Sequence, residues 1–192
     1  MSISFTPVDW LSIVVFILAS AGIIYISRAS LHAPGSHGFY RFFAWEAILA
    51  LALLNWDVWF ADPFSLHQLI SWTCLLISLF LVLHGVHLLR VVGKPDERSG
   101  SDVPQLGIEK TTTLVTVGAY KYIRHPLYSS LLFLCWGVFF KDPSWLGSLL
   151  ALIATAFLVA TAKVEEAEDL RHFGAAYQEY MGRTRMFIPF LF

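Results

Sequence analysis

The apolar residues of this chain are grouped in long stretches that contain no Asp, Glu, Lys or Arg. Four such stretches cover residues 10–27, 63–89, 125–140 and 143–162. Their lengths lie near the roughly 20 residues that an α-helix needs to cross the apolar part of a bilayer. The pattern therefore predicts four membrane-spanning helices rather than the amphipathic helices of a soluble domain.

A fifth stretch, residues 42–60, is apolar except for Glu46 and two polar residues near its end. A single acid inside a span is costly but tolerated where it faces other helices, so we count this stretch as a span. Glu46 could be a proton site or a substrate contact, but we expect it to pair with Arg41 or another basic residue. The sequence thus predicts an all-α fold, a polytopic membrane helix bundle with five transmembrane helices in a single transmembrane domain over 1–192.

The composition agrees with a membrane location. Hydrophobic residues make up 57% of the chain, charged residues make up 14%, and the mean hydropathy is +0.64, whereas soluble domains contain about 25% charged residues. The formal net charge of −1 leaves no basic excess for a phosphate backbone, so we expect no nucleic acid partner. Cys74 and Cys135 lie in apolar stretches without CxxC spacing, which argues against a disulfide framework or a zinc site.

Basic residues are distributed unequally along the predicted bundle. With five spans, 12 of the 13 Lys and Arg residues lie on one side of the membrane, and only Lys141 lies on the other. The positive-inside rule then puts the N-terminus outside and the C-terminus in the cytoplasm. Residues 1–92 would hold the first three spans, and residues 93–192 a cytoplasmic loop, a helical hairpin and a tail. The first span follows Asp9 without a basic leader, so we expect it to be retained and not removed as a signal.

The fourth and fifth spans are joined only by residues 141–144, which predicts an antiparallel helical hairpin. Pro143 is well placed to begin the second helix. The hairpin brings two polar stretches, 118–128 and 163–174, to the same cytoplasmic end. The tail from residue 186 onward is too short to span and too apolar to stay in water, so we expect it to dock against the membrane face or the bundle.

Charged side chains of opposite sign face each other across this predicted interface. Glu165 and Asp169 are four residues apart and share a helix face, while Arg124 and His125 lie where the fourth span begins. Pro126 suits the first position of a helix and keeps His125 outside the helical region. Taken separately, the acids could form a solvated turn, and Arg124 could extend to lipid headgroups. Their convergence is what indicates a binding site.

Short motifs follow one another in a fixed order over roughly residues 105–189. They are the run Gly118, Tyr120, Arg124, His125, Pro126 and Tyr128, the pair Glu165 and Glu166, the group Phe173, Gly174, Tyr177 and Tyr180, and the closing Ile188 and Pro189. Their ordered combination resembles the isoprenylcysteine carboxyl methyltransferase family and its phospholipid methyltransferase relatives. The five-span plan is similar to the smaller prokaryotic members, which implies a bacterial or archaeal inner membrane with the site on its cytoplasmic face.

The resemblance implies a methyltransferase that uses S-adenosylmethionine and acts on a lipophilic small molecule among membrane lipids. Carboxylates and aromatic faces stabilise a sulfonium cation, which agrees with the residues present. As catalytic residues we expect Arg124 to orient an anionic group, and Glu165 or His125 to accept a proton where one must be removed. The implied cofactor-binding residues are Gln105, Thr112, Thr113, Leu114, Val115, Gly118, Tyr120, His125, Pro126, Tyr128, Glu165 and Glu166, and no metal ligand is implied.

One position departs from the family pattern. The family's substrate-binding arginine lies four residues before the cofactor glutamate, where this chain has Thr161. A hydroxyl cannot pair with a substrate carboxylate as a guanidinium does. The difference puts methylation of a prenylated cysteine carboxylate in question and leaves the cofactor residues intact.

Three other functions stay open at this point. Membrane sterol and lipid reductases share a similar helical core, but they would need a site for NADPH with more basic residues. A haem or metal protein would use His84 and His87, which share a face of the third span, although such histidines more often bond to neighbouring helices. An assembly factor without catalysis is the third.

Overall fold

The computed structural model describes residues 10–93 and 112–191, and every regular element in them is helical. These two ranges contain no strand, only an isolated parallel bridge between Ile123 and Arg185. The predicted all-α class is therefore confirmed. The described elements are α1 (Trp10–Leu31), α2 (His37–Leu54), α3 (Leu66–Val91), a 3₁₀ turn (Gly118–Lys121), α4 (Pro126–Phe139), α5 (Trp145–Phe173) and α6 (Ala175–Arg183).

Three helices, α1, α3 and α5, are long and apolar enough to cross a membrane by length and composition. Helix α4 is apolar but has 14 residues, and α2 has 18 residues with Arg41 and Glu46 inside it. These are the helices of an integral membrane protein. The count of five spans and the orientation stay predictions.

The bundle is built from two helix pairs and one peripheral helix. Helix α2 packs along α5, α3 packs along α4, and α1 lies mainly against α2. Small side chains allow the close approach of these helices, because Ala47, Cys135, Ala151 and Ala154 are all buried in one core cluster. The packing of α4 against α5 brings the start of α4 next to the charged end of α5.

Helix α2 does not match the stretch 42–60. The Ser36 hydroxyl accepts the N–H of Phe39 and caps the first turn, and the helix ends before Asn55. The buried Asn55 side chain donates to the backbone carbonyl of Val138 at 2.8 Å. This bond to the last turn of α4 satisfies the buried side-chain amide of Asn55, and the chain turns after α2 at this point. The predicted bounds are wrong at both ends.

The α4–α5 hairpin is confirmed, but Pro143 does not begin its second helix. Ser144 caps α5 by accepting the N–H of Gly147 at 3.1 Å, so the helix starts after it. At this end of the bundle Lys141 is buried. Its Nζ donates to Gln68 at 3.0 Å and lies 3.5 Å from the ring centroid of Trp72. Lys141 therefore ties the hairpin turn to α3.

Candidate active site

Helix α5 continues past its apolar part into a charged end. The helix runs without a break to Phe173, and Gly174 ends it with a φ of +59° that favours glycine. The continuation carries Glu165 and Glu166 to the start of α4.

His125 is the residue directly before α4, and it lies between two carboxylates. Its backbone is non-helical (φ −120°, ψ 63°) and Pro126 takes the first helical position, as predicted. Its Nδ1 atom is 3.1 Å from Glu165 and its Nε2 atom is 3.4 Å from Glu166. Its ring stacks on Tyr128, one turn into α4. His125, a residue only 6% exposed, thus has its ring held on three sides.

Burial and ion pairing act in opposite directions on His125. Burial alone lowers the pKa of a histidine, because the charged form loses its hydration. Hydrogen bonds to Glu165 and Glu166, together with the charges of both, outweigh burial and raise the pKa of His125 to about 9. The ring is therefore a cation near neutral pH.

Arg124 joins three helices. Its Nε donates to Glu166 at 2.6 Å, and one terminal nitrogen donates to the carbonyls of Met181 and Thr184 at 3.3 and 2.7 Å. Carbonyls at a helix C-terminus carry partial negative charge, so a guanidinium suits the end of α6. Arg124 thus ties the charged end of α5 and the end of α6 to the start of α4.

The segment after α6 binds the residues before α4 through the backbone. The N–H groups of Arg124 and His125 donate to the carbonyls of Arg185 and Met186, at 2.7 and 3.2 Å. Met186 and the next residue, Phe187, are buried. The expected docking of the tail against the bundle is confirmed for this part of it.

The 3₁₀ turn forms the side of the site next to α3. Gly118 has a φ of +59°, and a Cβ at this position would lie 2.5 and 2.6 Å from side-chain atoms of His84 and Leu88, so glycine is required. His84 accepts the N–H of Ala119 at 3.3 Å through Nε2. The turn is therefore fixed against α3 by packing and by one hydrogen bond.

These elements surround a cavity of about 640 Å³, including its mouth to solvent. Acids from α5, aromatic rings from the 3₁₀ turn, α4, α5 and α6, and aliphatic side chains from α3, α4 and the segment before the turn make up its wall. The lining residues are Leu89, Leu114, Val115, Tyr120, Arg124, His125, Leu127, Tyr128, Glu165, Asp169, Phe173, Tyr177 and Tyr180.

The cavity brings together all three predicted catalytic residues, Arg124, His125 and Glu165. Of the other cofactor-binding residues predicted, those in the lining are Leu114, Val115, Tyr120 and Tyr128. Gln105 lies outside the described residues. The remaining ones are not in the lining: Thr112, Thr113 and Gly118 are exposed, Pro126 is buried, and Glu166 bonds to Arg124 and His125.

Four polar or aromatic lining residues were not among the predicted site residues. Asp169 could have been predicted as a site residue from its spacing, because it lies four residues after Glu165 and so on the same helix face. Tyr177 and Tyr180 are three apart on α6 and face the same way, and both are buried. The fourth is Phe173 at the end of α5.

Other residues noted in the sequence have partners elsewhere. Glu46 accepts a hydrogen bond from Ser20 of α1 at 2.6 Å and not from Arg41, so the expected ion pair is wrong. His84 bonds to the 3₁₀ turn as described. Across residues 10–93 and 112–191 no group of three or more His, Cys, Asp or Glu side chains could hold a metal ion.

The sequence profile of the phospholipid methyltransferase family matches residues 66–176. Methanethiol S-methyltransferase 2 of Bradyrhizobium diazoefficiens is 37% identical over 73 residues, which are 38% of this chain and 27% of that protein. Methanethiol S-methyltransferase of Pseudomonas sp. strain GM41(2012) is 26% identical over 153 residues, which are 74% of this chain and 55% of that protein. The chain thus spans about half or less of these relatives. No solved structure gives a significant match.

The profile match and the geometry fall on the same part of the chain. Residues 66–176 contain α3, the 3₁₀ turn, α4 and α5, and with them the His125–Glu165 contact and most of the cavity lining. The match covers more than half of the 192 residues, and the chain therefore belongs to the phospholipid methyltransferase family.

Proposed function

We propose that this chain is an integral membrane methyltransferase that moves a methyl group from S-adenosylmethionine to a lipophilic or membrane-partitioned small acceptor. The main support is that two polar stretches distant in sequence form one cavity, with His125 at 3.1 Å from Glu165. Membership of a methyltransferase family supports the reaction class. The names of both relatives also describe methyl transfer.

The lining suits the parts of this methyl donor. The carboxylate of Glu165 suits a sulfonium or an ammonium group, and the rings of Tyr120 and Tyr128 offer faces to a cation. The charged ring of His125 suits the donor's carboxylate, and aliphatic side chains such as Val115 suit its adenine. When bound, the donor would supply an electrophilic methyl group.

The side chains of the site would act mainly by holding the reactants in line and by excluding water. His125 is protonated near neutral pH, so it serves as a fixed positive charge and not as a base. Burial raises the pKa of Glu165, but the hydrogen bond and charge of His125 outweigh burial and hold it below its usual value, so Glu165 is a weak base as well and a proton lost by the acceptor passes to solvent. Arg124 holds Glu166 and the end of α6 in place.

Thr161 favours an acceptor without a carboxylate. Its side chain is fully buried, and its hydroxyl donates to the carbonyl of Phe157 in its own helix at 2.7 Å. The position therefore offers no positive charge to a substrate. Methanethiol, which the relatives are named for, is a small thiol without a carboxylate. Small thiols, phospholipid amines and isoprenoid lipids are therefore the acceptors to test.

For the membrane arrangement we propose five crossings, with the N-terminus outside and the cavity on the cytoplasmic side of a bacterial or archaeal inner membrane. Helices α2 and α4 would be the two crossings added to the three long apolar helices. Both pack against long apolar helices, α2 along α5 and α4 along α3. Cysteine labelling of single-cysteine variants at residues 121 and 142 from either side of the membrane tests this arrangement.

The function is tested with the full chain purified in detergent. Calorimetric titration with S-adenosylmethionine should show saturable binding, and labelled methyl should pass to a component of a lipid extract or to a small thiol. His125→Ala and Glu165→Ala should lose both. A folded wild-type protein that retains NADPH and does not bind the methyl donor would instead support a reductase.

A further inference from the structure

The acids at the charged end of α5 differ in what they contact. Three of the four each pair with a basic side chain from another part of the bundle. The pairs are Glu165 with His125 at 3.1 Å, Glu166 with Arg124 at 2.6 Å and Glu168 with His37 at 2.5 Å.

Asp169 is the exception among these acids. In the part of the chain that the structure describes, no basic side chain lies within ion-pair distance of its carboxylate. It nevertheless lines the cavity, one helical turn beyond Glu165 and beside the Tyr177 hydroxyl. The cavity thus contains one carboxylate that His125 and His37 influence only from beyond ion-pair distance.

The charges around the cavity do not cancel when Asp169 is ionised. The acids at this end of α5 then outnumber the basic groups that face them, since Glu165, Glu166, Glu168 and Asp169 face Arg124, His125 and His37. Burial, and next the charge of Glu165, raise the pKa of Asp169 to about 7. A cation in the cavity would restore the balance and keep this carboxyl ionised.

We propose that Asp169 is a specificity residue that holds the sulfonium charge of S-adenosylmethionine. It thereby distinguishes the methyl donor from the product, S-adenosylhomocysteine, whose sulfur is uncharged. This inference rests on the proposed function. In the transfer, a lone pair of the acceptor forms the bond to the methyl carbon, and the pair of the methyl–sulfur bond returns to sulfur. A proton on the acceptor leaves to solvent. The sulfonium charge is then gone, so Asp169 loses its partner and the product is released.

Binding, rather than turnover, tests this role. Wild type, Asp169→Asn and the control Glu179→Gln are titrated calorimetrically with S-adenosylmethionine and with S-adenosylhomocysteine at about pH 8. Because a charge-assisted contact is lost, Asp169→Asn should bind the methyl donor about tenfold more weakly and the product within about twofold of wild type. Glu179 is an exposed acid on α6 that pairs only loosely with Arg183, so its variant should match wild type.

The pH dependence of the same titrations gives a second readout. The groups that face Asp169 are Glu165, His125 and His37 and the Tyr177 hydroxyl. Wild type should lose preference for the methyl donor from about pH 8 to about pH 6 as Asp169 protonates, while His125 stays charged. Asp169→Asn should show no such loss.

The outcomes separate this inference from the function beneath it. No binding of the methyl donor by folded wild type would overturn the proposed function. Binding by wild type with an unchanged ratio of the two affinities in Asp169→Asn would overturn only the role of Asp169. Should that variant not fold, a wild-type ratio that stays constant between about pH 6 and pH 8 overturns it equally. Asp169→Glu keeps the charge and should recover part of the preference.

Discussion

The Nδ1 atom of His125 lies 3.1 Å from a carboxylate oxygen of Glu165, although the first precedes α4 and the second follows the apolar part of α5. The short turn between the two helices makes this possible, because an antiparallel hairpin returns the chain to the end from which it started. The contact is the point at which both polar stretches of the chain meet.

Replacing Glu165 with Gln should weaken binding of S-adenosylmethionine. The variant keeps the shape of the side chain but removes a carboxylate that faces the cavity and pairs with His125. We expect about a tenfold loss of affinity, the size typical of a lost charge-assisted contact. Calorimetric titration measures it, with Glu179→Gln as the matched control. An affinity equal to wild type would contradict a role of Glu165 in binding.

The stability of the protein should depend on pH through His125. Its pKa is about 9 in the folded chain and about 6.5 in an unfolded one. The charged ring therefore contributes its full stabilisation below about pH 6.5, and this contribution is lost as the pH rises through about 9. The melting temperature of wild type in detergent should fall more between pH 7 and pH 10 than that of His125→Gln. Parallel curves for the two proteins would show that His125 is not held as a cation.

Replacing Arg124 with Met should destabilise the fold. The change leaves Glu166 with only the longer contact to His125 and removes the donor to the carbonyls of Met181 and Thr184. Breaking one partner of a buried pair costs about 3–5 kcal/mol in the free energy of unfolding. Denaturant titration in detergent measures the loss.

Two comparisons make the Arg124 experiment specific. Arg124→Lys keeps the charge but not the fork of donors, so its loss should be intermediate. Lys121→Met removes an exposed charge from the neighbouring turn and should leave stability near the wild-type value. If all three variants were equally stable, the contacts of Arg124 would not hold α5 and α6 to α4.

Replacing Gly118 with Ala should disturb the 3₁₀ turn. The positive φ and the close approach of His84 and Leu88 leave no room for a Cβ, so we expect a loss of about 1–3 kcal/mol. Gly22→Ala is the matched control, because a Cβ at residue 22 of α1 meets no atom within 4 Å. Thermal unfolding of both variants decides the matter, and equal melting temperatures would contradict the requirement for glycine.

The meeting of His125 and Glu165 could be predicted because it depends on local information. A turn of a few residues between two apolar helices, and motifs at their ends, suffice to place both residues at one end of the bundle. The first helical position of Pro126 and the glycine that ends α5 are likewise properties of short segments. For the same reason the helical class followed from the apolar stretches alone.

The rest depends on contacts between distant elements. The end of α2 is fixed by the bond from Asn55 to Val138 on α4, which no local pattern reveals. Asp169 lacks an ion-pair partner because each basic side chain near it pairs with a neighbouring acid, and one of these, His37, comes from α2. Glu46 bonds to a serine on α1 because those two helices are packed together.

The carbonyls of Arg185 and Met186, which accept the N–H groups of Arg124 and His125, belong to a segment that follows the six α-helices described, α1 to α6. The ribosome must therefore have synthesised residues 185 and 186 before the backbone hydrogen bonds of Arg124 and His125 can form. A small molecule present in the cell would have no finished pocket to enter while the helices are being inserted. Membrane insertion must then proceed without help from a ligand, and ligand binding can stabilise only the completed protein.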